Sequence, residues 1–178
     1  WASAGYVVAA PAYPLSNSNA DGSFIRANGF ADAANQPADA TFVINQVLER
    51  QEALVGGIVD PKRIGASGHS FGGSTTYALG YSRCCRDRRV KAAIPMSACA
   101  GVVRDPGGYF RDDATPLLIL HGDADTVISY QRAVEAFAAA QPPKFGLTFV
   151  GAGHSEPFTG LPAGVQAMAL THGTVDFW

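Results

Sequence analysis

Leu117-Leu118-Ile119-Leu120 is an apolar run with no polar alternation. A strand wet on one face alternates polar and apolar residues. A strand without alternation is covered on both faces and belongs to a parallel sheet dressed with helices. Other segments fit that frame. Tyr6–Ala10, Arg63–Ser67, Val90–Met96 and Leu147–Val150 read as further short strands. Helical patterns lie between them. One starts at Pro37, where proline suits a first turn and Asp39 complements the helix dipole. Its stripe is Ala40, Val43, Ile44, Val47 and Leu48, and Gly56-Gly57 ends it. A small-residue helix runs from Phe71 to about Tyr81, a stripe of Tyr130, Ala133, Val134 and Phe137 marks another, and a last helix starts near Ala163 and is still running at Trp178. A polar, Asn/Ser-rich loop covers roughly residues 15–34. The expected fold is α/β, with about five mainly parallel strands flanked by helices on both faces in a single domain.

Composition removes several alternatives. Apolar residues make up 47% of the 178, enough to bury a core and to argue against disorder. A net charge of −2 leaves no electrostatic footprint for nucleic acid. No apolar run approaches the ~20 residues of a membrane span. The four His and three Cys show neither Cys-x-x-Cys nor His-Glu-x-x-His spacing, so neither a metal nor another cofactor is expected.

In a parallel sheet the working residues sit in loops at the carboxyl ends of the strands. The loop after Arg63–Ser67 reads Gly68-His69-Ser70-Phe71-Gly72-Gly73, G-x-S-x-G between a strand and a helix. That is the context of a nucleophile elbow, a sharp strained turn that lifts the Ser70 Oγ over the sheet edge. Gly68 and Gly72 leave room for neighbouring backbone at the turn, and His69 is the variable residue inside it. The following helix points its positive end at the site, so the Phe71 N–H is placed to donate to an oxyanion. Leu117–Leu120 runs into His121-Gly122-Asp123-Ala124-Asp125, which offers two carboxylates, Asp123 and Asp125, that spacing alone does not separate. After the next strand, His154 stands on a Gly-rich loop. The chain order Ser–Asp–His is that of a hydrolase triad on such a sheet. His121 reads as a structural strand-end residue and His172 as surface. Arg83, Arg86, Arg88 and Arg89 with Asp87 read as a solvated turn below the sheet.

Taken together, Gly5-Tyr6-Val7-Val8, Asn35-Gln36-Pro37-Ala38-Asp39, the Ser70 elbow, His121-Gly122-Asp123-Ala124-Asp125 and Gly151-Ala152-Gly153-His154 resemble the α/β-hydrolase superfamily. The closest likeness is to dienelactone-hydrolase-like and platelet-activating-factor-acetylhydrolase-like serine esterases, and bacterial polyester hydrolases look similar at the elbow. The resemblance implies a partial α/β-hydrolase fold and places the acid of H-G-x-x-D at Asp125. It implies a Ser70–His154–Asp125 triad that cleaves small-molecule or lipid esters, and it favours a secreted or periplasmic location. Dienelactone hydrolases proper use Cys where this chain has Ser70. Prolyl-oligopeptidase-type peptidases share the same layout, and a non-catalytic binding module on this fold is the remaining alternative.

Cys84 and Cys85 cannot pair with Cys99. The helix from Phe71 carries them to the far end of the sheet, roughly 20–25 Å from Cys99, whereas disulfide Cα atoms lie within ~7 Å. They bind each other, stay reduced, or pair outside the chain.

The family's domain opens with three strands and a His-Gly loop that supplies a second oxyanion donor. Tyr6–Ala10 resembles its fourth strand, and the third would lie between that segment and Arg63–Ser67. Residues 1–178 therefore read as an incomplete domain, lacking the N-terminal strands and the end of the last helix, from an enzyme of ~250–300 residues, a size typical of the family. The expectation is that the isolated chain is poorly soluble or weakly active, because one missing oxyanion donor costs ~10²–10³ in rate. Gel filtration with an esterase assay checks this; a well-folded monomer with full activity overturns it.

Overall fold

Along one strand, Leu117 and Ile119 are almost fully buried, whereas Leu118 and Leu120 are half-buried. The strand that carries them lies inside a sheet with a helix layer on one face. The computed structural model describes residues 1–17, 32–111 and 115–158, and the backbone of 175–177. The strands are β1 (Ile64–His69), β2 (Val90–Met96), β3 (Leu117–Gly122), β4 (Lys144–Phe149) and β5 (Val175–Phe177), and the helices are α1 (Gln36–Val55), α2 (Phe71–Tyr81) and α3 (Gln131–Ala139). The sheet order is β1-β2-β3-β4-β5. The first four strands are parallel and β5 is antiparallel to β4. The protein is thus an α/β protein with a four-strand parallel sheet flanked by helices.

Local chemistry explains the elements. α1 has Pro37 and Asp39 in its first turn and stops where Gly56 takes a left-handed φ of 66° and donates to Gln51 and Glu52 carbonyls. Its Ala40 and Ile44 pack on Leu79, Val90 and Ala66. α2 is buried from Gly73 to Tyr81, which suits its small residues. Its Tyr77 and Tyr81 meet Phe110, Leu117, Ile119 and, from α3, Ala133 and Ala136 in one cluster, so α2 and α3 share a face of the sheet. The other face carries Ile94, Met96, Leu118, Leu120, Leu147 and Phe149, all half-buried. The helix expected from Ala163 falls largely outside the described residues, as do His172 and most of the 15–34 loop. Of that loop, Ser16 donates to Asp32 and accepts from Gln36, and Gln36 accepts from Thr75, tying the N-terminal segment to α1 and α2.

Several expectations need correction. Tyr6–Ala10 is not a strand, and Tyr6 and Val8 are 61% and 53% exposed. A strand exists by pairing, and among the described residues none lies beside this segment or along the free edge of β1. Val175–Phe177 is a strand rather than the end of a helix, because it pairs with Leu147–Phe149. β4 begins at Lys144, three residues before the expected start. The Lys144 ammonium donates to the Phe137 and Ala140 carbonyls at the end of α3, so the charge at the strand entrance is satisfied. Cys84 and Cys85 are joined to each other, and Cys99 is free.

The arginine cluster is not wholly solvated. Arg89 grips the buried Asp87 with Nε and Nη2 at 2.9 and 2.6 Å, and its Nη1 reaches Asn45 of α1 at 2.7 Å. The Arg89 hydrogen bonds hold the Asp87 carboxyl below the usual carboxylate range despite its burial. Asp87→Asn is expected to cost about 1–3 kcal/mol at neutral pH. A depressed folded pKa gives stability that is full above the unfolded carboxylate value and is lost as pH falls through the folded one. The penalty should therefore shrink in strongly acidic solution, as urea denaturation at several pH values will show.

Candidate functional site

Ser70 follows β1 directly and stands at the head of α2 with φ 54° and ψ −117°, a region that residues with a Cβ rarely occupy. The turn is held by the Ser70 N–H, which donates to the Met96 carbonyl of β2 at 2.9 Å. It also needs Gly68, because a Cβ there would lie 2.4 Å from the Gly72 backbone. Gly72 itself faces open space, so only the first of the two expected glycines is required by room. The Phe71 N–H belongs to the first turn of α2, whose first internal bond runs from the Ser74 N–H to the Ser70 carbonyl at 3.0 Å.

β3 delivers the acid. Asp125 is buried, and its Oδ1 accepts the Val127 and Ile128 N–H groups, both at 2.8 Å. Its Oδ2 lies 2.8 Å from His154 Nδ1. Asp123 instead accepts the Gly151 N–H at 2.6 Å and pins the histidine loop. The two carboxylates that spacing could not separate have different tasks. Burial pushes the Asp125 pKa up, but the donors from His154, Ile128 and Val127 outweigh it and hold the carboxyl below its ordinary value.

β4 delivers the histidine. Its following loop presses on β3: a Cβ on Gly122 would lie 2.2 Å from the Ala152 carbonyl oxygen, which accepts the Ala124 N–H at 3.1 Å. This contact turns His154 back across the sheet edge, and its Nε2 comes 2.8 Å from Ser70 Oγ. With Nδ1–H donating to Asp125, Nε2 keeps a lone pair and accepts the Ser70 hydroxyl. The arrangement can move a proton from Ser70 Oγ to an imidazole whose positive form faces a carboxylate. Ser70, Asp125 and His154, distant in sequence, are brought together; Phe71, Gly68, His69 and Gly72 lie in the same turn.

Two histidines do more than the sequence suggested. His69 is not a passive elbow residue: its Nε2–H donates to the His154 carbonyl at 2.8 Å, and its ring lies 4.8 Å from that of His154 and 5.5 Å from that of Phe158. His121 lies within β3, fully buried, and its Nε2 is 2.9 Å from the Ile128 carbonyl and 3.1 Å from Asp125 Oδ2. A His directly before Ser70 and a His four residues before Asp125 were the available signals. Among the described residues, no group of three or more His, Cys, Asp or Glu is placed to hold a metal, and no helix is long and apolar enough to cross a membrane.

Gly122→Ala should destabilise the fold by about 1–3 kcal/mol and push the Ala152 loop away, lengthening the His154–Ser70 contact. Thermal melting and a crystal structure of the variant check both; an unshifted loop would contradict the role given to Gly122.

No family model matches the chain. It is similar to the uncharacterized protein YfhR of Salmonella typhimurium, 27% identical over 173 residues that take in 80% of this chain and 57% of the relative. It is likewise similar to YfhR of Salmonella typhi, 26% identical with the same coverage. The chain thus spans 57% of the length of these curated relatives.

Proposed function

We propose that the protein is a serine hydrolase of carboxylic esters, of the α/β-hydrolase kind its motifs resemble. The observation that carries the reading is the continuous hydrogen-bonded chain from Ser70 Oγ through His154 to the buried Asp125. Ser70 Oγ attacks the ester carbonyl while His154 Nε2 takes its proton. Asp125 holds the tautomer and stabilises the imidazolium. The Phe71 N–H, at the positive end of α2, donates to the tetrahedral oxyanion. His154 then hands the proton to the departing alcohol, leaving an ester on Ser70. A water, deprotonated by His154, attacks that acyl-enzyme; the acid leaves, and the proton returns to Ser70. The donors from His154, Ile128 and Val127 hold the Asp125 carboxyl below its ordinary value and so favour its ionised form.

The preference for esters over peptides rests on the resemblance rather than on any residue of the triad. p-Nitrophenyl butyrate should therefore be cleaved in preference to an aminoacyl anilide. Ser70→Ala should lower kcat by at least roughly 10⁴-fold, and Asp125→Asn by about 10⁴-fold. A fluorophosphonate should label Ser70. Activity that survives Ser70→Ala, or label on another residue, would sink the assignment. Faster anilide cleavage would make the protein a peptidase, and no labelling at all would make it a binding module.

A further inference from the structure

His121 is fully buried, yet one of its two ring nitrogens has no hydrogen-bond partner among the described residues. Nδ1 is that orphan, and Nε2 faces two acceptors, the Ile128 carbonyl at 2.9 Å and Asp125 Oδ2 at 3.1 Å. Two acceptors around Nε2 require its proton to be there. A second proton on Nδ1 would bury an N–H without an acceptor, so the ring is held neutral in one tautomer. Burial depresses its basicity in the same sense. Its surroundings reinforce the fixation. The Tyr130 ring stands edge-on at 6.0 Å, the Tyr130 hydroxyl bonds Thr148, and Thr148 is the β4 residue in register with His121.

We propose that His121 is a positioning residue for the Ser70–His154–Asp125 chain: its Nε2–H clasps the Asp125 carboxylate and the Ile128 carbonyl, so that Oδ1 meets the Val127 and Ile128 amides and Oδ2 is aimed at His154. The proposal deepens the hydrolase reading, and its kinetic arm rests on that reading. Oδ2 then shares its charge between two donors, and the hold of Asp125 on the His154 imidazolium is moderated. The ionisable or polar groups facing His121 are Asp125, His154, Tyr130 and Thr148. Asp123 is committed to the Gly151 N–H and the Glu156 carboxylate lies against Gly153.

The pair His121→Gln and His121→Asn separates positioning from packing. Both are neutral amides, but only the Gln side chain reaches as far as Nε2. His121→Asn should lower kcat about tenfold and move the acid limb of kcat/KM to higher pH by about half a unit. The limb rises because an Asp125 freed of one donor favours the imidazolium more strongly. His121→Gln should restore both. An acid limb unmoved in His121→Asn, or His121→Gln as impaired as His121→Asn while still folded, overturns the proposal. Should His121→Asn not fold, the wild-type limb in His121→Gln supports it and a shifted one refutes it. Imidazole ¹⁵N spectra of the wild-type protein give an arm independent of catalysis. His121 should be the neutral Nε2–H tautomer at a pH where an exposed histidine is already protonated; an Nδ1–H tautomer or an ordinary titration overturns the proposal. A wild type without esterase activity defeats the hydrolase reading alone, since the spectra still report the clasp.

Discussion

The Ala152 carbonyl sits where a side chain on Gly122 would be. That close approach governs the site. Ser70 and His154 leave strands separated by β2 and β3, so a loop that simply continued beyond β4 would carry the imidazole away from Ser70. Three bonds fold it back: the Ala124 N–H to Ala152, the Asp123 N–H to the Phe149 carbonyl, and the Gly151 N–H to the Asp123 carboxylate. The acid loop is thereby the template for the histidine loop. Ser70 is fixed independently, by the Met96 carbonyl of β2 and the packing of Gly68 on Gly72. His69 joins the two halves by donating to the His154 carbonyl.

The sheet supplies the rigidity this needs. β1 to β4 run parallel, so their carboxyl ends lie together, and α2 and α3 lock them from one side through Tyr77, Tyr81, Leu117 and Ile119. A strained φ at Ser70 costs about 1–3 kcal/mol. It persists because α2, buried from Gly73 onward, cannot rotate away without opening that cluster.

Much of this was legible from residue patterns. Unbroken apolar runs signalled the parallel strands, and β2 and α2 begin and end where the sequence predicts. Ser70 and His154 followed from their places at strand ends, whereas Asp125 was separated from Asp123 only by the resemblance, because spacing left both carboxylates open. What escaped depends on distant partners. Tyr6–Ala10 has strand composition, but composition cannot provide a neighbour to bond to. Val175–Phe177 is a strand only because β4 offers an edge. Asp87 and Arg89 looked solvated because nothing local announces that Asn45 of α1 will close over them. His69 and His121 looked ordinary because each acts on a backbone carbonyl, and carbonyls leave no mark in a sequence.

Asp125 faces two imidazoles with the same oxygen, and the fold must tell them apart. Burial and backbone bonding make the choice. The His121 side chain is 0% exposed, tied to a backbone carbonyl through Nε2, and left with a nitrogen that has no acceptor among the described residues. Adding a charge there would desolvate a cation and strand an N–H donor. The His154 side chain is 14% exposed, donates through Nδ1, and turns its other nitrogen to a hydroxyl. A proton arriving at that nitrogen forms an imidazolium beside a carboxylate. The His121 ring, held uncharged, adds a hydrogen bond to that carboxylate without a second positive charge. The two rings are of one residue type, and the difference lies in what each ring's second nitrogen meets: no partner among the described residues for His121, the Ser70 hydroxyl for His154.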